Sequence, residues 1–180
     1  LASLLEGADE KTLVSCRSSG GGSALAPAPA EGLTLADKQD TTSLLLECGA
    51  NIVELNAIRK HLSQLKGGGL ARAAFPATVI ALMLSDVIGD PMDVIASGPT
   101  VPDTSTYKTC REIFDKYELF EQLPSSVQSR MNDGLAGQVE DTPKPGDEAL
   151  GRVQNVVVGS NGLAVEAAEA KAKELGYNTL

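Results

Sequence analysis

The sequence predicts an α/β protein with an open, mostly parallel sheet and helices on both faces. The nearly continuous apolar run "FPATVIALMLSD", residues 75–86, is typical of a central strand that is buried on both faces. The segment "VQNVVVGSNGLAVEAAEAKAKELG", residues 153–176, has the pattern of a strand, a tight turn and a helix that ends at Gly176. Strand-like and helix-like segments alternate along the chain, and this alternation favours a parallel sheet.

The first predicted elements are a strand over residues 12–17, "TLVSCR", and a helix over residues 34–48. Thr34 stands three positions before Asp37, which is the spacing of a capping box at a helix start. The strand and the helix are joined by a loop rich in glycine and proline, "SSGGGSALAPAP", over residues 18–29.

A second helix is predicted over residues 51–66, where apolar residues recur at helical spacing and define a buried stripe. The members of this stripe are Leu55, Ile58, Leu62 and Leu65. The glycine triplet at 67–69 is expected to end the helix. Two further helices are predicted over residues 106–117 and 124–134.

The second half of the chain contains a segment that we expect to be an exposed linker. Residues 137–151, "GQVEDTPKPGDEALG", are polar, acidic and interrupted by prolines. Apart from this linker, the predicted strands and helices indicate that residues 1–180 are a fragment of one Rossmann-like domain. The chain opens on Leu1 without a methionine and stops where a further strand would begin, so we expect truncation at both ends. A second domain that would close a cleft is expected to be absent.

The composition favours a soluble, cytoplasmic protein. With 24 acidic and 15 basic residues the formal net charge is −9, and Lys and Arg do not cluster as a nucleic-acid surface requires. No apolar run approaches the roughly 20 residues that span a bilayer, so no membrane contact is expected. The three cysteines are far apart and form no CxxC pair, which predicts reduced structural thiols and no zinc site.

The loop after the first strand predicts an anion site. Gly20, Gly21, Gly22 and Ser23 leave backbone N–H groups unshielded, and such groups bind phosphate oxygens. The dinucleotide-binding fingerprint would need a third glycine where Leu25 stands, and the Gly-Lys-Ser/Thr triplet of a P-loop does not occur. The same glycine pattern is also compatible with a turn that binds no ligand.

A face with cationic and amide side chains is predicted on the second helix. Separations of three and four residues bring Asn56, Arg59, Lys60 and Ser63 together opposite the apolar stripe, and Lys66 extends that face. Such a face suits a carboxylate or a phosphate, although an ordinary solvated helix face has the same pattern.

Two acidic residues and one histidine are the remaining candidate functional residues. Asp86 and Asp90 follow the buried strand, where they could hold Mg²⁺ through one or two carboxylates, although turn formation and helix capping use the same residue type. His61, the only histidine, lies at the edge of the apolar stripe, and we expect a packed structural role. No arrangement of serine, histidine and acid points to hydrolysis.

Four segments in this order resemble the glycerate 2-kinase family, whose older members were labelled hydroxypyruvate reductases. They are "SGGGSALAPAPAEGLTLADKQ", "LNAIRKHLSQLKGGGLARAAFPA", "LSDVIGDPMDVIASGPTVPD" and "VVVGSNGLA", and the resemblance covers almost the whole chain. It implies transfer of the γ-phosphoryl group of ATP, with Mg²⁺, to the 2-hydroxyl of D-glycerate. The reaction would take place in a cleft between a Rossmann-like domain and a second domain.

The resemblance also implies roles for individual residues. The glycine loop would cradle phosphate, and Asp86 or Asp90 would assist the metal. The residues that would hold the substrate's carboxylate or the transferred group are Asn56, Ser63 and Lys66, together with Lys60 and Arg59 as the catalytic cations. Replacing Lys60 with Met is therefore expected to impair phosphoryl transfer while the thermal midpoint hardly changes.

The first strand departs from the family pattern. Ser15, Arg17 and Ser18 stand where the family has apolar residues, and an unpaired buried Arg costs about 3 kcal/mol or more, so a frayed or displaced strand is expected. The family's upstream segment with a functional lysine is also missing, which leaves the activity of the fragment open. Two alternatives remain: an NAD(P)-dependent hydroxypyruvate reductase, which Leu25 argues against, and a non-catalytic fold that binds metabolites.

Overall fold

The structure, a computed structural model, describes residues 2–19 and 21–179. Within these residues the strands are β1 (Leu13–Ser18), β2 (Thr78–Ser85) and β3 (Val153–Ser160). The α-helices are α1 (Gly22–Leu25), α2 (Leu35–Glu47), α3 (Ile52–His61), α4 (Gly69–Ala74), α5 (Tyr107–Lys116), α6 (Ser125–Leu135) and α7 (Asn161–Glu174). None of the helices in this part of the chain has the length and hydropathy needed to cross a bilayer.

The three strands form one parallel sheet in the order β1-β2-β3, so β2 is central. The pairing of β1 with β2 runs from Leu13 opposite Thr78 to Ser18 opposite Met83. The predicted α/β class with an open parallel sheet is confirmed, and β2 coincides with the apolar run that predicted it.

One face of β2 is buried and the other is only partly covered. Val79, Ala81 and Met83 lie on the buried face, where Val79 packs with Leu65 and other apolar residues. On the opposite face Leu84 is 52% exposed. The prediction of burial on both faces is therefore wrong for this chain. Both faces of β2 are apolar, so the sequence does not indicate which face the helices cover.

Alternation along β1 explains the polar residues in this strand. Ser15 and Arg17 are exposed, while Val14 and Cys16 pack on the buried side of the sheet. Because successive side chains point to opposite faces, no arginine is buried. All six residues of β1 pair in register with β2, so the expectation of a frayed or displaced strand is wrong.

The main apolar core lies between helices α2, α3, α5 and α6. Its most deeply buried members are Leu45, Cys110, Phe114, Val127 and Met131. The helices predicted over residues 34–48, 106–117 and 124–134 are confirmed as α2, α5 and α6. Helix α2 begins with the predicted capping box between Thr34 and Asp37.

Helix α3 ends at His61, five residues before the predicted end at Lys66. The hydroxyl oxygen of Ser63 accepts hydrogen bonds from the N–H groups of Leu65 and Lys66 at 3.3 and 3.4 Å. Such a local turn competes with helix continuation. The prediction of one helix over residues 51–66 is therefore correct only for its first part, although the whole apolar stripe is buried as predicted.

The centre of the predicted linker over residues 137–151 is packed against the fold, so the expectation of an exposed segment is wrong there. Pro143 is buried, and its carbonyl accepts a hydrogen bond from the Asp103 N–H at 2.8 Å. The guanidinium of Arg72 donates to the carbonyl of Asp141 at 2.8 Å. The acidic, proline-rich composition gives no sign of these partners, because they lie far away along the chain.

All three cysteines are free thiols. Burial raises the pKa of the Cys110 thiol well above its usual value and also raises the pKa of Cys16. Thiols that keep their protons are poor nucleophiles, which agrees with the structural role predicted for them.

Candidate anion-binding site

Three loops meet beside the end of α3, and backbone hydrogen bonds join them. The segment after the glycine loop runs antiparallel to the segment after α3. There, the N–H of Ala30 donates to the carbonyl of Leu62 at 3.1 Å, and the N–H of Gln64 donates to the carbonyl of Ala28 at 3.0 Å. The position of the glycine loop is therefore tied to the end of α3.

The third loop is joined to the glycine triplet at 67–69. The N–H of Gly67 donates to the carbonyl of Ser97 at 2.9 Å. Gly68 has a φ of +83°, and a Cβ at this position would lie 2.9 Å from the Cβ of Pro143. Only glycine fits such a position without a shift of the neighbouring chain, so the triplet is required by close packing.

The predicted phosphate loop follows β1 directly, at the carboxyl edge of the sheet. Gly21 has a φ of +76°, and no heavy atom lies within 4 Å of the position that a Cβ would take, so its backbone is open. Gly20 lies outside the described residues, as does the side chain of Ser23. Phosphate binding by residues 20–23 stays a prediction.

A cavity of about 530 Å³ lies along β1 from Thr12 to Ser19, so it reaches the carboxyl edge of the sheet. Ser18, Ser19 and Leu25 line it from the glycine-loop side, and Lys66 lines it from the turn after α3. Open parallel sheets bind ligands beyond the carboxyl ends of their strands. The structure thus brings Lys66 and the glycine loop together in one cavity.

The charge of Arg59 acts on two buried lysines, Lys38 and Lys66. Burial, followed by the charge of Arg59, lowers the pKa of Lys38 to about 8. Burial, followed by the charges of Arg59 and Lys38, lowers the pKa of Lys66 to about 8. Cations that are held together away from water attract an oxyanion, because it relieves their mutual repulsion. We call these three residues the cation cluster.

Lys60 does not have the environment that the sequence predicts. Its Nζ lies 3.2 Å from Oδ1 of Asp103 and 3.9 Å from Oδ2 of Asp93. Asp103 is 1% exposed and also accepts hydrogen bonds from the hydroxyls of Ser105 and Thr142. The placement of Lys60 and Lys66 on one helix face is wrong, because α3 ends between them and Lys60 is neutralised by a buried carboxylate.

His61 is buried between two hydrogen-bond partners. Its Nδ1 lies 2.8 Å from the carbonyl oxygen of Ala57, and its Nε2 lies 2.8 Å from Oδ1 of Asp141. Burial opposes the charged carboxylate of Asp141, but hydrogen bonds from His61 and Lys144 hold the pKa of Asp141 well below its ordinary value. His61 thus fastens the segment around Asp141 to α3, in agreement with the predicted structural role.

Asn56 and Ser63 are buried and hydrogen-bonded to neighbouring loops. Oδ1 of Asn56 accepts a hydrogen bond from the hydroxyl of Ser97 at 3.2 Å. The hydroxyl of Ser63 donates to the carbonyl of Ala28 at 3.3 Å. Both residues therefore hold loops that surround the site, while their predicted contacts with substrate stay predictions.

Asp86 and Asp90 occupy different places in the loop after β2. Asp86 is exposed and lines a cavity of about 420 Å³ with Ser160 and Asn161 at the end of β3. Asp90 lies in the following turn with a φ of +53°. Within residues 2–19 and 21–179, no group of three or more His, Cys, Asp or Glu could hold a metal ion. A Mg²⁺ ion that also binds phosphate needs only one or two carboxylates, so the metal role of both residues stays a prediction.

Known proteins resemble this chain over most of its length. A family model described as a domain of unknown function, DUF4147, matches residues 1–132. The chain belongs to this family. It is 52% identical over 167 residues to glycerate kinase from Danio rerio, and 44% identical over 175 residues to glycerate 2-kinase from Pyrococcus horikoshii. The crystal structure of glycerate kinase from Thermotoga maritima matches 98% of the chain with a TM-score of 0.83 and 41% sequence identity.

The resemblance to glycerate 2-kinases predicted from four sequence segments is thereby confirmed. The alignments cover 93% of this chain for the Danio rerio relative and 97% for the Pyrococcus horikoshii relative. The same alignments cover 33% and 39% of those relatives, and 40% of the Thermotoga maritima chain. The chain therefore spans well under half of the length of the family members that it matches.

Lys38, Asp103 and Asp141 were not singled out from the sequence. Asp103 binds a lysine that is 43 positions away, and no local pattern indicates such a pair. For Lys38 a signal was available, because it shares one face of α2 with Thr41 and Leu45, at separations of three and seven residues. A lysine within such a buried stripe indicates a charge that is retained for a purpose other than packing.

Proposed function

We propose that this chain is part of a glycerate kinase, which transfers the γ-phosphoryl group of ATP to the 2-hydroxyl of D-glycerate. The observation that carries the proposal is the cavity along β1 that Lys66 lines together with Ser18, Ser19 and Leu25, which lie in the loop that contains the glycines. Relatives named glycerate kinase and glycerate 2-kinase support both the reaction and the acceptor hydroxyl.

The residues of this cavity supply what phosphoryl transfer requires. The reaction spreads negative charge over the oxygens of the transferred group, so catalysis is mostly positioning and charge neutralisation. Backbone N–H groups of residues 20–23 would bind phosphate oxygens, and Arg59 and Lys66 would neutralise their charge. The cavity also has apolar residues in its lining, among them Leu65, Leu70 and Pro99, and such residues would suit a nucleobase.

Lys60, Asn56 and Ser63 would position these groups. The side-chain stem of Lys60 packs against Gly67, where a Cβ would lie 3.0 Å from the Cβ of Lys60. Asn56 and Ser63 hold the neighbouring loops through the hydrogen bonds described above. Asp103 neutralises Lys60, so we propose a positioning role for Lys60 in place of the predicted anion-binding role.

Mg²⁺ would bind in the separate cavity at the carboxyl ends of β2 and β3. Asp86 is exposed at the carboxyl end of β2, and it would hold the ion together with phosphate oxygens, with Asp90 as a second carboxylate. The hydroxyl of Ser85 donates to the carbonyl of Val87 at 3.2 Å, which orders the loop that carries Asp86. When bound, Mg²⁺ neutralises phosphate charge and aligns the phosphoryl group.

The proposal is tested with the full-length protein, D-glycerate and Mg-ATP. ADP is measured by chromatography, and the phosphorylated product is identified by ³¹P NMR. We expect one ADP for each 2-phosphoglycerate, no reaction after chelation of Mg²⁺, and no oxidation of NADH with hydroxypyruvate. NADH oxidation without ADP formation would identify a reductase instead. Binding heat with ATP and glycerate but no ADP would identify a non-catalytic binding protein.

A variant pair connects the activity to this cavity. Lys66→Met should lower kcat/KM by about a hundredfold, because a charge that stabilises the transferred group is lost. The control is Lys108→Met on α5, where the lysine side chain is 80% exposed and lies outside the site. Equal activity of the two variants would refute the role of Lys66.

A further inference from the structure

A further cavity, of about 710 Å³, lies beside the end of α3. Residues of α4 and α6, the turn after α3 and residues 138–143 line it, and we call it the α4–α6 cavity. Lys66 lines both this cavity and the one along β1, so the two cavities are neighbours. A volume of this size is typical of a pocket for a small molecule. The α4–α6 cavity can therefore hold a second ligand beside the first.

Arg130 of α6 lines this cavity with a charge that backbone carbonyls hold in place without neutralising it. Its Nε donates a hydrogen bond to the carbonyl of His61 at 2.9 Å, and a terminal nitrogen donates to the carbonyl of Glu31 at 3.5 Å. Burial raises the pKa of the neighbouring Tyr107, although the charge of Arg130 opposes this shift, so the phenol is neutral at pH 7. Arg130 takes part in none of the ion pairs found among residues 2–19 and 21–179.

Two other cations of the lining already have carboxylate partners. The Nζ of Lys60 lies 3.2 Å from Oδ1 of Asp103, and a terminal nitrogen of Arg72 lies 2.9 Å from Oδ2 of Asp147. These pairs hold distant segments of the chain together. The bonds of Arg130 to neutral oxygens fix the direction of its guanidinium, while its positive charge still favours an anion.

A small carboxylate is the anion that this arrangement fits. A guanidinium can bind both oxygens of a carboxylate through two parallel N–H groups. Ser63, which the sequence predicts as a substrate-binding residue, lines the same cavity. Like charges repel, so binding the carboxylate of the acceptor in a separate cavity keeps it away from the phosphoryl oxygens. Lys66 lies where the two ligands would meet, because it lines both cavities.

We propose that Arg130 binds the carboxylate of D-glycerate in the α4–α6 cavity, while the phosphoryl groups of ATP occupy the cavity along β1. This inference rests on the proposed function, because D-glycerate is the acceptor in that reaction. It assigns the carboxylate to a residue of α6, whereas the sequence assigns it to residues in α3 and in the turn that follows.

The test measures by calorimetry how strongly the full-length protein prefers a carboxylate. D-Glycerate, its uncharged amide D-glyceramide and Mg-ATP are titrated separately into the wild type, Arg130→Gln and the control Arg152→Gln. Arg152 is a matched control, because it is exposed, donates to the carbonyl of Pro76 at 3.0 Å and lies outside the cavity lining.

We expect the ratio of the affinities for D-glycerate and D-glyceramide to fall at least about tenfold in Arg130→Gln, because a contact between two charged groups is lost. The same ratio should stay within about twofold in Arg152→Gln. The affinity for Mg-ATP should stay within about twofold in both variants, because Arg130 does not line the cavity along β1.

Four results would overturn the inference. These are an unchanged affinity ratio in Arg130→Gln, equal weakening of D-glycerate and D-glyceramide, a loss of Mg-ATP affinity as large as that of D-glycerate, and failure of the wild type to bind D-glycerate. If Arg130→Gln does not fold, Arg130→Lys is used instead. It keeps the charge but loses the two parallel N–H groups, so the ratio should fall at least about threefold, and an unchanged ratio would again overturn the inference.

Activity measurements separate this inference from the proposed function. Binding of D-glycerate that depends on Arg130 but yields no ADP would reject the kinase reaction and keep the carboxylate site. Kinase activity with an unchanged KM for D-glycerate in Arg130→Gln would reject the carboxylate site alone.

Discussion

Single residues around α3 show that cations of the same type have different partners. Lys60 lies on the buried carboxylate of Asp103, with 3.2 Å between Nζ and Oδ1. Lys38 and Lys66 are buried beside another cation, Arg59, and their pKa values are lowered to about 8 by burial first and by that charge second. The first environment stabilises a charge within the fold. The second weakens the hold of both lysines on their protons, because burial and a neighbouring like charge both disfavour the charged form.

Replacing Lys60 with Met should destabilise the protein by about 3 kcal/mol, because Asp103 would remain buried without its cation. Urea unfolding of the wild type and the variant measures this difference. Lys108→Met is the control and should change the free energy of unfolding by less than about 0.5 kcal/mol. The sequence alone predicts that the unfolding midpoint of Lys60→Met is unchanged. That result would show that the buried carboxylate of Asp103 is stable in the fold without the charge of Lys60.

Among the elements, the turn between α3 and α4 does most to shape the site. It carries Lys66, and its backbone binds the segment around Ala28 on one side and Ser97 on the other. Gly68 belongs to this turn and touches Pro143, from the segment predicted to be an exposed linker. The site therefore depends on the close approach of chain segments that are distant in sequence.

Gly68→Ala should destabilise the protein by about 2 kcal/mol more than Gly137→Ala. Both glycines have a positive φ, of +83° and +73°, so both substitutions meet a similar backbone strain. At Gly68 the new Cβ also meets Pro143 and the carbonyl of Val101, whereas no heavy atom lies within 4 Å of it at Gly137. Urea unfolding gives the difference, and pyrophosphate titration should show weaker binding for Gly68→Ala only. Equal effects at the two positions would contradict the close packing of this turn.

At the scale of the whole molecule, the distribution of charge matters more for the binding of anions than the net charge does. The chain has a formal net charge of −9, yet it keeps two lysines buried next to an arginine. A net charge of this sign opposes binding to anionic polymers, whereas cations that lie close together favour a small anion locally.

The pH dependence of stability should report this cluster. The pKa of Lys38 and Lys66 falls from 10.5 to about 8 in the folded protein, so the unfolded chain binds more protons between pH 8 and 10.5. The ligand-free wild type should therefore gain stability over that interval relative to a Lys38→Met, Lys66→Met double variant. Urea unfolding of both proteins at pH 7, 8, 9 and 10 measures the difference. A difference that does not change with pH would contradict the lowered pKa values.

Local patterns predicted most of the fold. The β2 strand, the capping box of α2, helices α5 and α6, and the strand–turn–helix unit of β3 and α7 were all predicted, because each depends on residues that are close along the chain. Patterning did not predict where α3 ends, since the hydroxyl of Ser63 competes there with the helix. It also did not predict that Arg17 is exposed, because the uncovered face of β1 depends on packing.

By itself, the sequence determined the α/β class, the family resemblance and the glycine loop at the carboxyl end of β1. Only the tertiary structure decided the surroundings of each cation. It paired Lys60 with Asp103 across 43 positions and His61 with Asp141 across 80 positions, and it placed Lys38 of α2 beside Arg59 and Lys66. The physical reason is that helix periodicity acts over a few residues, whereas the partner and the burial of a charge depend on which distant segments pack against it.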